Sequence, residues 1–187
     1  REQSERSVVP SFFYDPQTPV ILGVGRLEKQ KDFPTLIRAF AAVRTQQLAR
    51  LLILGEGSQK TELESLVAEL GLQEDVTFGG FVADPHAYMK QSSVVVLSSA
   101  WEGFGNILVE AMFMGTPVVS TNCESGPNEI LQDGEYGKIV DVGDSEAMAT
   151  AIRETLNSDR DVEKLKARAN EFSLEVALDC YQNIFAF

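Results

Sequence analysis

Six short runs rich in β-branched residues alternate with stretches of helical periodicity, and this alternation constrains the fold more than any other feature of the chain. The runs are Val20–Gly25, Leu51–Gly55, Val76–Gly79, Val94–Ser98, Val118–Thr121 and Lys138–Val140. Several are continuously apolar, the pattern of strands covered on both faces. Between the first two, Phe33, Leu36, Ile37 and Phe40 form one apolar stripe, with Asp32 as a cap and Pro34 in the first turn. Ser58 is placed to cap a second helix, with Leu63, Leu66, Val67 and Leu70 inward and Gly71 as the stop. Pro85–Gln91 reads as a short helix or turn, and Ser125-Gly126-Pro127-Asn128-Glu129 as a turn into another. Asp144 or Ser145 opens a longer helix, and two more are predicted at about 160–171 and 174–186. The order implies an α/β fold, an open and mostly parallel sheet with helices on both faces. Ligands of such sheets sit outside the carboxyl ends of the strands, so the loops at 25–31, 55–58, 79–84, 99–106 and 122–128 become the places to look.

One of those loops carries an unusual arrangement. In Glu102-Gly-Phe-Gly-Asn106-Ile-Leu-Val-Glu110, two carboxylates flank two glycines, an aromatic and an apolar stretch. Apart from Cys123, Glu110 is the one ionisable residue between Gly103 and Cys123, and a carboxylate in so apolar a stretch is costly unless something satisfies it. Asn106 is a good N-cap for a buried helix over Ile107–Met114, with Glu110 near its first turn. Gly103 and Gly105 let a backbone or a ligand come close. These residues describe a helix N-terminus able to receive an anion, flanked by carboxylates able to receive hydroxyls. A phosphorylated sugar presents both groups. The competing readings are a solvated loop carboxylate for Glu102, which Trp101 and Phe104 weaken by dehydrating it, and a structural carboxylate held by backbone amides for Glu110.

Gly25, Arg26 and Lys31 follow the first strand. Arg binds phosphate through two donors and Lys acts as a point charge, so the pair suits a pyrophosphate. Read locally, packing for Arg26 and solvation for Lys31 serve as well, and the strand-end position favours phosphate. The loop is not a dinucleotide fingerprint, because Glu28 stands where the third glycine would fall, and no P-loop G-K-[ST] follows. Ser125–Asn128 could line a sugar pocket or be plain turn chemistry. His86 reads as a surface or packing residue, and neither Cys123 nor Cys180 has a histidine placed by motif to activate it.

Composition narrows the partners. The net charge of −12 leaves no broad basic patch for nucleic acid or a membrane surface. A single histidine and two distant cysteines make a metal site improbable and suggest free thiols in a reducing cytoplasm. With 187 residues, one ordinary domain over 20–187 is expected, preceded by a polar tail or linker over 1–19.

The order of motifs is more specific than any one of them. Val24-Gly25-Arg26-Leu27, Lys31-Asp32, Leu54-Gly-Glu-Gly57, Val76-Thr-Phe78-Gly-Gly-Phe81, Ser98-Ser-Ala-Trp-Glu102-Gly-Phe-Gly-Asn106, Glu110-Ala-Met112, Gly115-Thr-Pro-Val118, Asn128-Glu-Ile130 and Gly134-Glu-Tyr-Gly137 occur in that sequence. Over about residues 20–157 this resembles the C-terminal, donor-binding Rossmann-like domain of retaining GT-B glycosyltransferases of the family 4 group. The resemblance implies an enzyme half that transfers a hexosyl group from a UDP- or GDP-type nucleotide sugar, with no tightly bound cofactor and no metal. It implies that Arg26 and Lys31 bind the pyrophosphate, that Glu102 positions the donor sugar, and that amides around Gly103, Phe104, Gly105, Asn106 and Ile107 hold sugar and phosphate oxygens. Gly25 would admit the phosphates, Glu110 would accept from ribose hydroxyls, and Phe81 and Val82 would pack on the base.

The N-terminal acceptor-binding domain of that family has no counterpart in the first 19 residues. The chain is therefore expected to be inactive alone, and a full-length protein to lie in the cytoplasm at the periphery of the inner membrane. Tyr181, Ile184, Phe185 and Phe187 would lack their usual cover, which predicts self-association through the C-terminal helix. The alternatives are a non-catalytic nucleotide-sugar-binding subunit or sensor, a nicotinamide-cofactor domain, which the missing glycine disfavours, and a sugar-nucleotide epimerase, for which no acid/base set is present.

Overall fold

The computed structural model describes residue 15 and residues 17–173. Most of the expected tail, the helix expected at about 174–186 with its aromatic residues, and Cys180 lie outside the described residues.

Six strands, β1 (Val20–Val24), β2 (Arg50–Leu54), β3 (Val76–Gly80), β4 (Val94–Leu97), β5 (Val118–Thr121) and β6 (Lys138–Val140), form one sheet in the order β3-β2-β1-β4-β5-β6. Every pairing is parallel, with Leu22 opposite Leu52 on one side and Val95 on the other. The helices between strands are α1 (Phe33–Arg44), α2 (Lys60–Glu69), α3 (His86–Gln91), α4 (Asn106–Phe113), α5 (Pro127–Leu131) and α6 (Ser145–Leu156), followed by α7 (Val162–Asn170). Side chains alternate across each strand. Ile21, Leu51, Ile53, Val94 and Val96 pack with α1, α2 and α6 in one layer. Leu22, Leu52, Leu54, Val95 and Leu97 pack with α3, α4, α5 and α7 in the other. Double cover is why these strands read as unbroken apolar runs.

Packing rather than capping holds the helices. On α1, Leu36, Ile37, Phe40 and Val43 are fully buried. At about 1.5–3 kcal/mol each, their burial outweighs the ~1 kcal/mol of a missing cap. Of three expected caps, one keeps its place without its side-chain bond and two are displaced. Asp32 stands at the N-cap of α1 in the left-handed region, and its carboxylate accepts from the Thr35 hydroxyl at 2.7 Å instead of a helix amide. Ser58 is drawn away, its amide and hydroxyl both donating to Glu28 at 2.9 Å, so Gln59 takes the N-cap of α2. Gly105, at φ 91°, takes the N-cap of α4, and Asn106 becomes the first helical residue. Gly71 does stop α2: its amide and that of Leu72 return to the carbonyls of Ala68 and Val67. Asp144 caps α6 as expected, accepting from the Ala147 amide at 2.9 Å.

From β1 the chain steps outward to β3 and then crosses back to β4. The strand order therefore switches between β1 and β4, and the loops leaving their carboxyl ends diverge to open a crevice. Those loops are Gly25–Asp32 and Ser98–Gly105, the two with the most suggestive residues.

Candidate functional site: the crevice between β1 and β4

The centre of the crevice is an ion pair between the two loops. Lys31 Nζ lies 2.5 Å from Glu102 Oε1, and the Ser99 hydroxyl donates to the same oxygen at 2.6 Å. The Glu102 side chain is only 9% exposed, so its charge depends on these partners. Small hydroxyls at the strand ends hold the arrangement. Ser98 donates to the Lys31 carbonyl at 2.7 Å, and Thr121 at the end of β5 donates to the Ser99 carbonyl at 2.6 Å. Neither Ser98, Ser99 nor Thr121 stood out in the sequence. Their signal was three hydroxyl residues at the carboxyl ends of adjacent strands.

Lys31 is thus committed to Glu102 rather than standing free beside Arg26. Arg26 is exposed, and its guanidinium donates to Gln30 Oε1 at 3.3 Å. It forms a wall shared by two depressions. On one side is an apolar cavity of about 270 Å³ lined by Val24, Leu54, Phe81 and Val82, with Phe81 71% exposed at its mouth. On the other is a broader polar groove that reaches Trp101. Gly25 lines the apolar cavity beside Arg26.

Gly103 to Ile107 lead into α4. The left-handed turn at Gly105 lets the chain enter the helix without side-chain capping. The amides of Gly103, Phe104, Gly105, Asn106 and Ile107 donate to no backbone carbonyl among the described residues, which leaves a row of donors at the helix N-terminus. The loop is braced from behind by the β5–α5 turn: a Cβ at Gly126 would fall 1.8 Å from the Phe104 carbonyl oxygen. The Ser125–Asn128 segment therefore supports the crevice through its backbone.

Three expectations about the carboxylates change. Trp101 is 54% exposed, and Phe104 packs edge-on against Phe172 at 5.7 Å. Lys31 and Ser99 shield Glu102. The α4 helix is only partly buried, with Leu108, Ala111 and Met112 inward and Phe113 exposed. Glu110 stands in its second turn with its side chain 40% exposed, so the apolar sequence around it imposes no large desolvation. Its Oε2 lies 3.9 Å from His86 Nε2, while His86 Nδ1 meets Asp84 Oδ1 at 2.6 Å. The His86 amide also donates to Asp84 and, with the ring contact, holds that carboxyl below its ordinary range. His86 is a surface residue, as expected, and links the β3–α3 loop to Glu110.

Cys123 lies behind the pair, buried and free. Burial pushes its thiol up, and the Glu102 charge adds to this, so it stays protonated and is a poor nucleophile. Among the described residues no group of three His, Cys, Asp or Glu is arranged to hold a metal ion, and no helix is long and apolar enough to cross a membrane.

The chain has relatives among known proteins. The family model for glycosyl transferases group 1 matches residues 10–172, and the chain belongs to that family. It is 36% identical over 173 residues to the lipopolysaccharide core biosynthesis glycosyltransferase LpsE of Rhizobium meliloti, covering 90% of this chain and 50% of that protein. It is 38% identical over 164 residues to N-acetylgalactosamine-N,N'-diacetylbacillosaminyl-diphospho-undecaprenol 4-alpha-N-acetylgalactosaminyltransferase of Campylobacter jejuni, covering 85% and 44%. The fold matches S. aureus TarM at a TM-score of 0.81 with 25% identity, over 90% of this chain and 35% of that one. It matches Anabaena HepE in complex with UDP at 0.79 with 26% identity, over 91% and 49%. The chain spans about half the length of the curated relatives it matches. The expected Rossmann-like sheet of GT-B glycosyltransferases is the fold observed.

Proposed function

We propose that this glycosyl transferases group 1 domain binds the nucleotide-sugar donor of a retaining, metal-independent hexosyltransferase, and that UDP is its nucleotide. The observation that carries the reading is the shielded Lys31–Glu102 pair beside the open amides of α4, at the switch point of the sheet. A donor offers groups for each part. The base suits the apolar cavity at Phe81 and Val82, and the ribose hydroxyls suit the half-exposed Glu110. The diphosphate suits Arg26, Lys31 and the amide row, where the leaving charge meets fixed positive ends and donors. The sugar hydroxyls suit Glu102, whose second carboxylate oxygen has no partner among the described residues. Glu102 then acts by positioning and by its charge. UDP is favoured because HepE, a structural neighbour, was solved with it.

The acceptor-binding role is assigned to a further domain, so residues 20–187 alone bind donor without transferring sugar. Calorimetric titration with UDP, GDP, ADP and NAD tests this, repeated on Arg26→Ala and Glu110→Ala. Binding of UDP that both substitutions weaken is expected. Binding of NAD with no nucleoside diphosphate would overturn the assignment.

A further inference from the structure

Gln30 makes three hydrogen bonds in the crevice, two to the loop after β4 and one within its own loop. Its carbonyl accepts from the Ala100 amide at 2.8 Å. Its side-chain nitrogen donates to the Trp101 carbonyl at 3.0 Å, and its side-chain oxygen accepts from the Arg26 guanidinium at 3.3 Å. The two side-chain partners are of opposite kind, since a guanidinium only donates and a carbonyl only accepts. One orientation of the amide satisfies both. Glutamate would lose the donor, lysine would lose the acceptor, and asparagine is a methylene shorter.

We infer that Gln30 is a positioning residue for donor binding: it holds the Arg26 guanidinium at the rim of the crevice and ties the Arg26 loop to the loop that carries Glu102. The inference rests on the reading that Arg26 meets the donor diphosphate. Arg26 is exposed, Glu28 attracts it only at longer range, and among the described residues its side-chain hydrogen bond is the one to Gln30, so without Gln30 its long side chain samples many rotamers that binding must then freeze. The tie at Trp101 lies one residue from Glu102, so the same amide sets the spacing between the phosphate-binding and sugar-binding groups. Gln30 touches no reacting atom in this scheme.

The test uses Gln30→Met, which keeps side-chain length and removes both side-chain hydrogen bonds, with UDP and uridine as probes. The ordering of one long side chain, shifted from folding to binding, predicts about 2- to 10-fold weaker UDP binding, with uridine unchanged. Adding Gln30→Met to Arg26→Ala is expected to cost nothing further in UDP affinity. A merely structural defect would weaken uridine as well. Nitrogen-15 NMR of the Arg26 Nε–H in the free protein supplies a readout that needs no nucleotide, with an ordered side chain expected in the native chain and an averaged one in Gln30→Met. Equal Arg26 order in both proteins, or an undiminished loss of UDP affinity in the Arg26→Ala background, would overturn the role. Failure of UDP to bind the native chain would overturn the donor-site reading instead, and the NMR comparison would still decide the tether.

Discussion

Lys31 and Glu102, 71 residues apart in the chain, meet at 2.5 Å across the opening between β1 and β4, with a second contact from Ser99 to the same carboxylate oxygen. The two strands that carry them are hydrogen-bonded neighbours, so the pair closes the point where the sheet reverses its order. A shielded charge pair is strongly unbalanced when one partner is removed. The pair therefore separates stability from function in a way that can be measured.

Lys31→Met leaves Glu102 shielded without its cation and is expected to destabilise the fold by about 3 kcal/mol, toward the low end for a buried pair because both groups retain some solvent. Urea denaturation measures it. Glu102→Gln keeps an acceptor for Lys31 and Ser99 but removes the charge, and should cost less, about 1–2 kcal/mol, while it weakens binding of a UDP-sugar more than of UDP. Equal losses for UDP and the UDP-sugar would argue against sugar positioning by Glu102.

Two glycines of the crevice should differ sharply. Gly126 sits at φ 89°, and a Cβ there would fall 1.8 Å from the Phe104 carbonyl oxygen, so Gly126→Ala must displace the loop. A loss of at least about 2 kcal/mol together with most of the UDP affinity is expected. A Cβ at Gly103 would meet nothing within 4 Å, and Gly103→Ala should leave the melting temperature within about 2 °C of the native value. Scanning calorimetry of both variants checks the contrast.

Cys123 should resist modification. Burial raises its thiol above the ordinary 9.0, so in a Cys180→Ser background a disulfide-exchange reagent at pH 8 should label it only as fast as the fold opens. The sign for stability follows from linkage. Above about pH 9 the unfolded thiol loses its proton while the folded one keeps it, so the native state binds more protons and stability falls as pH rises. Cys123→Ala should flatten that alkaline limb, and urea titrations between pH 7 and 10 measure the slope.

Phe40 is fully buried between α1 and the sheet. Phe40→Ala removes a large side chain from a close-packed layer and should cost about 3–5 kcal/mol. Because that layer lies away from the crevice mouth, UDP affinity of the folded fraction should stay within about twofold of native. A tenfold change would show that the layer positions the site more directly than packing implies.

All six strands are legible in the sequence, and Val118–Thr121 and Lys138–Val140 match to the residue, because short β-branched runs bounded by turn residues mark strands even where Ser120, Thr121 or Lys138 interrupts the apolar pattern. The helices are legible from stripes such as Leu36, Ile37 and Phe40. Caps were harder to read. Asp32, Ser58 and Asn106 all have the right chemistry, yet Thr35, Glu28 and Gly105 decided the outcome through local competition for the same donors and acceptors. The expected self-association rests on residues outside those described and is a proposal for a sedimentation experiment.

The sequence by itself determined the parallel sheet, the loops that face the ligand side and the residue types offered there, because periodicity, glycines and motif order are properties of the chain alone. Only the tertiary structure decided how those residues are used. Lys31 belongs to Glu102, Gln30 to Arg26 and Trp101, Glu28 to Ser58 and His86 to Asp84. Most of these partners come from different loops, and what brings them within hydrogen-bond reach is the parallel registration of neighbouring strands, a long-range consequence of burial that no local pattern carries.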